Sequence, residues 1–303
     1  MSNPLAHELA PVIHPAIRIV EVGPRDGLQN EQRPISTQAK IALIRALADC
    51  GLQNIEATAF VSPRWVPQMA DHEHVMRQAE RRAGLQLSAL VPNEAGAKAA
   101  IATGAQALAV FASASESFAQ KNTNCSIAES LQRFHPVMAL ARINKLPVRG
   151  YISCAIDCPF EGKIHPDAVC RLAETLLEMG CSEIAVSDTL GKATPEEIDR
   201  VLASVLRTIK SEKIAAHYHD TAGRALANIA VSLELGVRIF DSSIGGLGGC
   251  PYAPGAAGNL RTGHLVAFLE ERGFKTGVDQ ARLALLEQRV LEWKSGITSD
   301  LIA

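Results

Sequence analysis

Several features are scarce or missing in this 303-residue chain, and each absence excludes a class of function. There is no basic surplus. Thirty Lys and Arg face 32 Asp and Glu, for a net charge of -2, and the cations are scattered, so nothing is arranged to neutralise a phosphate backbone. Nucleic acid is therefore not expected as a partner. No apolar stretch is long enough to span a bilayer, and the segment from Met1 to Glu8 lacks a basic region followed by an apolar run. The sequence predicts no membrane association and a cytoplasmic protein. Cysteine is sparse and odd in number, at positions 50, 125, 154, 158, 170, 181 and 250, with no CxxC pair, so reduced thiols are expected rather than disulfides. Cys154 and Cys158, four apart on what reads as one strand, do not have zinc-ribbon spacing. Six of the seven read as packing residues, and Cys250, in a glycine-rich segment, is the thiol placed to meet a substrate. No GxGxxG follows the first β-branched run, which argues against a dinucleotide-binding open sheet.

What is present is a regular alternation. With 47% apolar residues the chain can bury one large core. Short β-branched runs cover Ile17 to Val22, Asn54 to Phe60, Gln86 to Val91, Ala107 to Phe111, Val148 to Ser153, Glu183 to Ser187, Ile214 to His219 and Val237 to Ser242. Amphipathic segments lie between them. In Asp167 to Met179, for example, Val169, Leu172, Ala173, Leu176 and Leu177 share one face. Gly51, Gly84, Gly104, Gly180 and Gly236 punctuate the units as helix-closing residues before the next strand. Thr194-Pro195-Glu196-Glu197 reads as a capping box with proline at the first helical position. Eight βα repeats without hairpin signals predict an α/β fold, a (β/α)8 TIM barrel forming one catalytic domain over residues 1–303. Val278 to Lys294 exceeds the eighth repeat, so residues 278–303 are expected to form a C-terminal helical extension, packed across the barrel or against a second subunit. A homodimer is the expected assembly.

In such a barrel the active site is built at the C-terminal ends of the strands. There the sequence places Gly23-Pro24-Arg25-Asp26-Gly27, then Glu56 in strand two, Asp188 after strand six, and His217 and His219 in strand seven. Residues two apart in a strand share a face, so the two imidazoles start close enough to bind one ion. By themselves they fit equally a pair of hydrogen-bonded core histidines. The flanking glycines and Pro24 fix a turn expected to aim Arg25 and Asp26 together at a ligand, the alternative being a surface ion pair. After strand eight, the glycines from Gly245 to Gly258 suggest a mobile lid or an anion cradle, with Asn259 as the N-cap of the eighth helix.

Together these segments carry a resemblance. Glu21-Val22-Gly23-Pro24-Arg25-Asp26-Gly27-Leu28-Gln29-Asn30-Glu31, His217-Tyr218-His219-Asp220 and Gly248-Gly249-Cys250-Pro251-Tyr252-Ala253 resemble the 3-hydroxy-3-methylglutaryl-CoA lyase family. The likeness continues through Phe60-Val61-Ser62-Pro63, Trp65 to Met69, Asn124 to Ile127 and Gly150 to Ala155, most of the chain and in order. It implies retro-Claisen cleavage of an acyl-CoA substrate to acetyl-CoA and acetoacetate with a divalent cation, Mg²⁺ or Mn²⁺. It further implies Asp26, His217, His219 and Asn259 as metal ligands. Arg25 would be the cation meeting the developing enolate, and Gln29 a second substrate contact. Cys250 would be the proton donor, and Glu56 and Asp188 would position Arg25, the histidines and the proton path. His217 would be ligand and proton relay at once.

One position departs from the family pattern. Gly263 stands four residues after Asn259 where the family places an acidic residue, removing a carboxylate from the edge of the pocket. Rival expectations are a lyase for another 3-hydroxy-3-substituted acyl-CoA, a related condensing synthase, and a barrel that binds CoA and metal without turnover. The synthase is disfavoured because those enzymes carry a further C-terminal domain and this chain ends at Ala303. Lys121, Asn122 and Asn124, expected in a loop after strand four, are candidates for the nucleotide end.

Overall fold

A computed structural model of the chain describes residues 16–249 and 258–302. Eight parallel strands close into a barrel: β1 (Arg18–Glu21), β2 (Asn54–Ala59), β3 (Gln86–Leu90), β4 (Ala107–Ser113), β5 (Val148–Ser153), β6 (Glu183–Asp188), β7 (Ile214–Tyr218) and β8 (Ile239–Ser242). Each strand pairs with its neighbours in sequence, and β1 pairs with β8 to close the ring. All eight predicted runs form strands. Their register is regular except in β2, where Glu56 pairs with Ser88 and Thr58 with Ala89, so that Ala57 is an added residue.

Helices α1 (Thr37–Asp49), α2 (His72–Gln78), α3 (Glu94–Ala102), α4 (Glu116–Thr123), α5 (Ile127–Ile143), α6 (Pro166–Met179), α7 (Pro195–Val205), α8 (Ala225–Glu234) and α9 (Thr262–Glu271) connect the strands or follow them. The Thr194 capping box is present as expected, with reciprocal bonds to Glu197. The predicted face of α6 is buried through Val169, Leu172, Ala173 and Leu176, and its C-cap Gly180 is left-handed.

Three expectations are corrected. A small antiparallel hairpin, Asp157–Cys158 with Gly162–Lys163, follows β5, although no hairpin signal marks it in the sequence. Cys158 lies in that hairpin and not on one strand with Cys154, and both thiols are buried. Lys121 and Asn122 are in α4, not a loop, and Asn124 is its left-handed C-cap. The surplus sequence forms a further helix, α10 (Gln280–Lys294). It packs on α1, on α9 and on the turn after β8, burying Leu283, Leu286, Val290 and Trp293. Among the described residues no helix is long and apolar enough to cross a membrane.

The barrel interior is not purely hydrocarbon. Arg149 in β5 bonds Glu183 of β6 and Asp241 of β8, and Arg18 of β1 bonds Glu183 as well. A charge is costly in a dry interior unless it is paired, and here the pairs run from the base of the barrel to its mouth.

Candidate metal centre

Directly after β1 the chain winds through one π-helical turn, Gly23–Gly27, closed by Gly27 N to Val22 O and Leu28 N to Gly23 O. Wide turns of this kind recur at functional sites because they re-aim side chains. Here the turn directs Arg25 and Asp26 inward. Arg25 Nη1 donates to Asp26 Oδ1 at 2.5 Å, and Nη2 to Glu56 Oε2 at 2.8 Å. Glu56 is 1% exposed and also accepts from Tyr151 Oη at 3.0 Å. Burial opposes the charge on Arg25, but Glu56 and Asp26 outweigh it and raise its pKa above that of free arginine. The guanidinium is thus a fixed cation whose Nε has no hydrogen-bond partner among the described residues.

His217 and His219 project from the end of β7 on one side, with ring centroids 5.4 Å apart. Their Nε2 atoms lie 3.9 and 3.8 Å from Asp26 Oδ2, too long for hydrogen bonds yet convergent on one point. The three side chains offer ligand atoms all within 4.8 Å of one another, a site that could hold a metal ion. Burial works against the Asp26 carboxylate, but Arg25 and the two imidazoles keep its pKa well below the usual range, so it is an anionic ligand. Gln29 Nε2 donates to Asp26 Oδ1 at 2.9 Å, so this glutamine also holds the carboxylate.

Asn259 joins the group, though not as a helix cap. The α9 cap is Arg261, and Asn259 instead forms a bridge with His219 while its Nδ2 donates to Asp26 Oδ2 at 2.7 Å and to the Leu247 carbonyl at 3.2 Å. The amide oxygen and nitrogen of an asparagine are interchangeable by rotation, so the same side chain can present oxygen to a cation. Two imidazoles, a carboxylate and an amide suit a six-coordinate ion with open positions better than a closed tetrahedral site.

Sequence reading missed the support of His217. Asp241 Oδ2 lies 3.0 Å from His217 Nδ1, and Arg149 Nη2 donates to Asp241 Oδ1 at 2.6 Å. Burial disfavours the Asp241 carboxylate, yet Arg149 and His217 lower its pKa overall. An anionic acceptor at Nδ1 fixes the tautomer that leaves the Nε2 lone pair facing Asp26. It also commits the second nitrogen, so a relay through His217 leads to Asp241 and not to solvent. The available signal was a charge inside an apolar strand, in Val-Arg-Gly-Tyr for β5 and Ile-Phe-Asp-Ser for β8. Asp241→Asn is expected to weaken Mn²⁺ binding roughly 10- to 100-fold. Titration of the metal-free variant checks it, and wild-type affinity would remove Asp241 from the site.

Asp188 is buried, and its oxygens accept from Gly191 N at 3.0 Å and Ala193 N at 2.9 Å, so it shapes its own loop beside His219 rather than bonding Arg25. Burial raises its pKa, offset in part by those amides and by His219. Cys250 lies outside the described residues. The first part of the glycine segment is not a free lid. Gly245 and Gly246 take left-handed φ values of 59° and 64° in a buried turn over Ser243–Leu247. Nor does Gly263 leave a gap, because the carboxylate of Glu287 stands beside it and accepts its N–H at 3.0 Å.

Comparison with known proteins follows the same outline. Residues 16–290 match the HMGL-like family. A hydroxymethylglutaryl-CoA lyase of Pseudomonas mevalonii is 49% identical over 91% of this chain and 91% of its own length. The crystal structure of an HMG-CoA lyase from Brucella melitensis is 51% identical with a TM-score of 0.88, covering 91% of this chain and 98% of that one. An HMG-CoA lyase from Acinetobacter baumannii, solved with coenzyme A and 3-methylmalate, is 37% identical with a TM-score of 0.88, covering 93% and 92%.

Proposed function

This chain belongs to the HMGL-like family, and on that premise we propose that it is a carbon–carbon lyase cleaving 3-hydroxy-3-methylglutaryl-CoA to acetyl-CoA and acetoacetate. The observation that carries the proposal is the convergence of Asp26, His217 and His219 beside a buried, doubly paired Arg25. The ion would be Mg²⁺ or Mn²⁺, held by Asp26, His217, His219 and Asn259. When bound, it would lower the pKa of the substrate's tertiary hydroxyl and fix that oxygen in place.

The remaining work falls to side chains. Loss of the hydroxyl proton and rupture of the C2–C3 bond leave a ketone and a thioester enolate. Arg25, held by Asp26 and Glu56, meets the enolate oxygen, a donor already in place where charge develops. The enolate carbon then takes a proton, which we assign to the Cys250 thiol. Gln29 serves the reaction through Asp26. We place the protein in the cytoplasm, consistent with six buried free thiols among the described residues.

The experiment is acetyl-CoA release from 3-hydroxy-3-methylglutaryl-CoA by metal-stripped protein, with and without added Mg²⁺ or Mn²⁺. Equimolar acetoacetate and acetyl-CoA, formed only with metal, are expected. A panel of 3-hydroxy-3-substituted acyl-CoA and malyl-CoA esters belongs beside it, because one relative binds 3-methylmalate. Preference for one of those esters would replace the methylglutaryl assignment.

A further inference from the structure

Glu287 on α10 is 8% exposed and has no part in the proposed reaction. Its Oε1 accepts from Gly245 N at 3.2 Å and Gly263 N at 3.0 Å. The carboxylate occupies the room of a side chain at position 263. A Cβ built there would overlap Oε2 and lie 2.9 Å from Cδ, so the carboxylate as placed leaves room only for glycine. Across the same turn, Glu21 Oε1 accepts from Ile244 N at 2.9 Å and Gly23 N at 2.8 Å, and its Oε2 accepts from Thr262 Oγ1 at 2.6 Å.

Two buried carboxylates, one from β1 and one from α10, therefore hold successive amides of the turn after β8. That turn ends at Leu247, whose carbonyl accepts the Asn259 side-chain amide, and the same amide reaches Asp26. Gly248 packs against Asn259 as well, where a Cβ would lie 2.6 Å from Nδ2. We infer that Glu287 is a positioning residue for the metal site: it fixes the Ser243–Leu247 turn, and the turn sets the side chain of Asn259. The inference rests on the metal-site reading above. A carboxylate that merely capped α9 would stabilise that helix and leave Asn259 unaffected.

The test is Mn²⁺ affinity of the full-length, metal-stripped protein, read from the electron paramagnetic resonance signal of free Mn²⁺. Glu287→Ala is expected to weaken binding about tenfold or more, the usual effect of losing a supporting partner. Asn259→Ala is expected to lose at least as much. The double variant should then match Asn259→Ala within about twofold, because both changes act on one ligand. Gly263→Ala should reproduce Glu287→Ala by displacing the carboxylate. Glu287→Gln, which keeps an acceptor oxygen, should stay within about threefold of wild type. Should the alanine variant fail to fold, Glu287→Asp takes its place with the same expectations, since its carboxylate is one methylene too short for the turn. Unchanged Mn²⁺ affinity on losing Glu287, or losses that add to those of Asn259→Ala, would overturn the inference. Wild-type protein that binds no Mn²⁺ would overturn it together with the metal reading. Wild-type protein that binds Mn²⁺ but does not cleave the thioester would count against the substrate alone.

Discussion

Arg25→Met is expected to lower kcat for thioester cleavage at least ~100-fold with a much smaller change in KM, the effect of removing one preorganised donor from a developing oxyanion. Methionine retains most of the volume and removes the fork that spans Asp26 and Glu56. Arg25→Lys should fall between the two, because an ammonium keeps the charge but cannot meet both carboxylates with planar geometry. Stability must be followed in parallel. Glu56 would lose its cation while remaining buried, and breaking a buried pair costs about 3–5 kcal/mol. Circular dichroism at the assay temperature separates the two effects. A folded Arg25→Met enzyme with wild-type kcat would reject the enolate role.

The second large effect is expected at Asp26. Its Oδ2 faces two imidazole nitrogens and the Asn259 amide, and its Oδ1 accepts from Arg25 and Gln29. Asp26→Asn preserves the shape and removes the charge. It also turns an NH₂ toward groups that either donate or must keep a lone pair for the ion. Because losing a mere supporting partner costs roughly 10- to 100-fold, loss of this ligand should weaken Mn²⁺ binding by at least ~100-fold and abolish metal-dependent turnover. Calorimetric titration with Mn²⁺ is the check. Affinity within a factor of three of wild type would show that the ion, if bound, sits elsewhere.

Much of the fold was legible because the period of the sequence and the burial of the barrel agree. Strands buried on both faces leave runs such as Ile214-Ala215-Ala216, and α6 leaves a clean apolar stripe. Ligands at strand ends were legible too, since His217 and His219 share a face by parity alone. What escaped was set by long-range packing. Nothing local marks Asp241 as the partner of His217, or Glu287 as the occupant of the space beside Gly263, because each pair spans 24 residues. The short hairpin after β5 was missed because two-residue strands have no period to detect. Only the helix-cap reading of Asn259 fails, because an asparagine just before a helix usually caps it, and here a bridge to His219 prevails.

The added residue in β2 makes the bend of that strand a condition of the site. Ala57 lies between Glu56, which grips Arg25, and Thr58, whose hydroxyl meets Met69. Removing a single codon there would restore an unbroken ladder with β3, and for that reason it would not be a mild change. The pairings of Glu56 with Ser88 and of Thr58 with Ala89 would survive, but the local bend that the extra residue puts beside Glu56 would go, and with it the aim of that carboxylate at Arg25. A gap of one in this strand is therefore expected to be lethal to activity, even where a gap of several in a surface loop passes without effect.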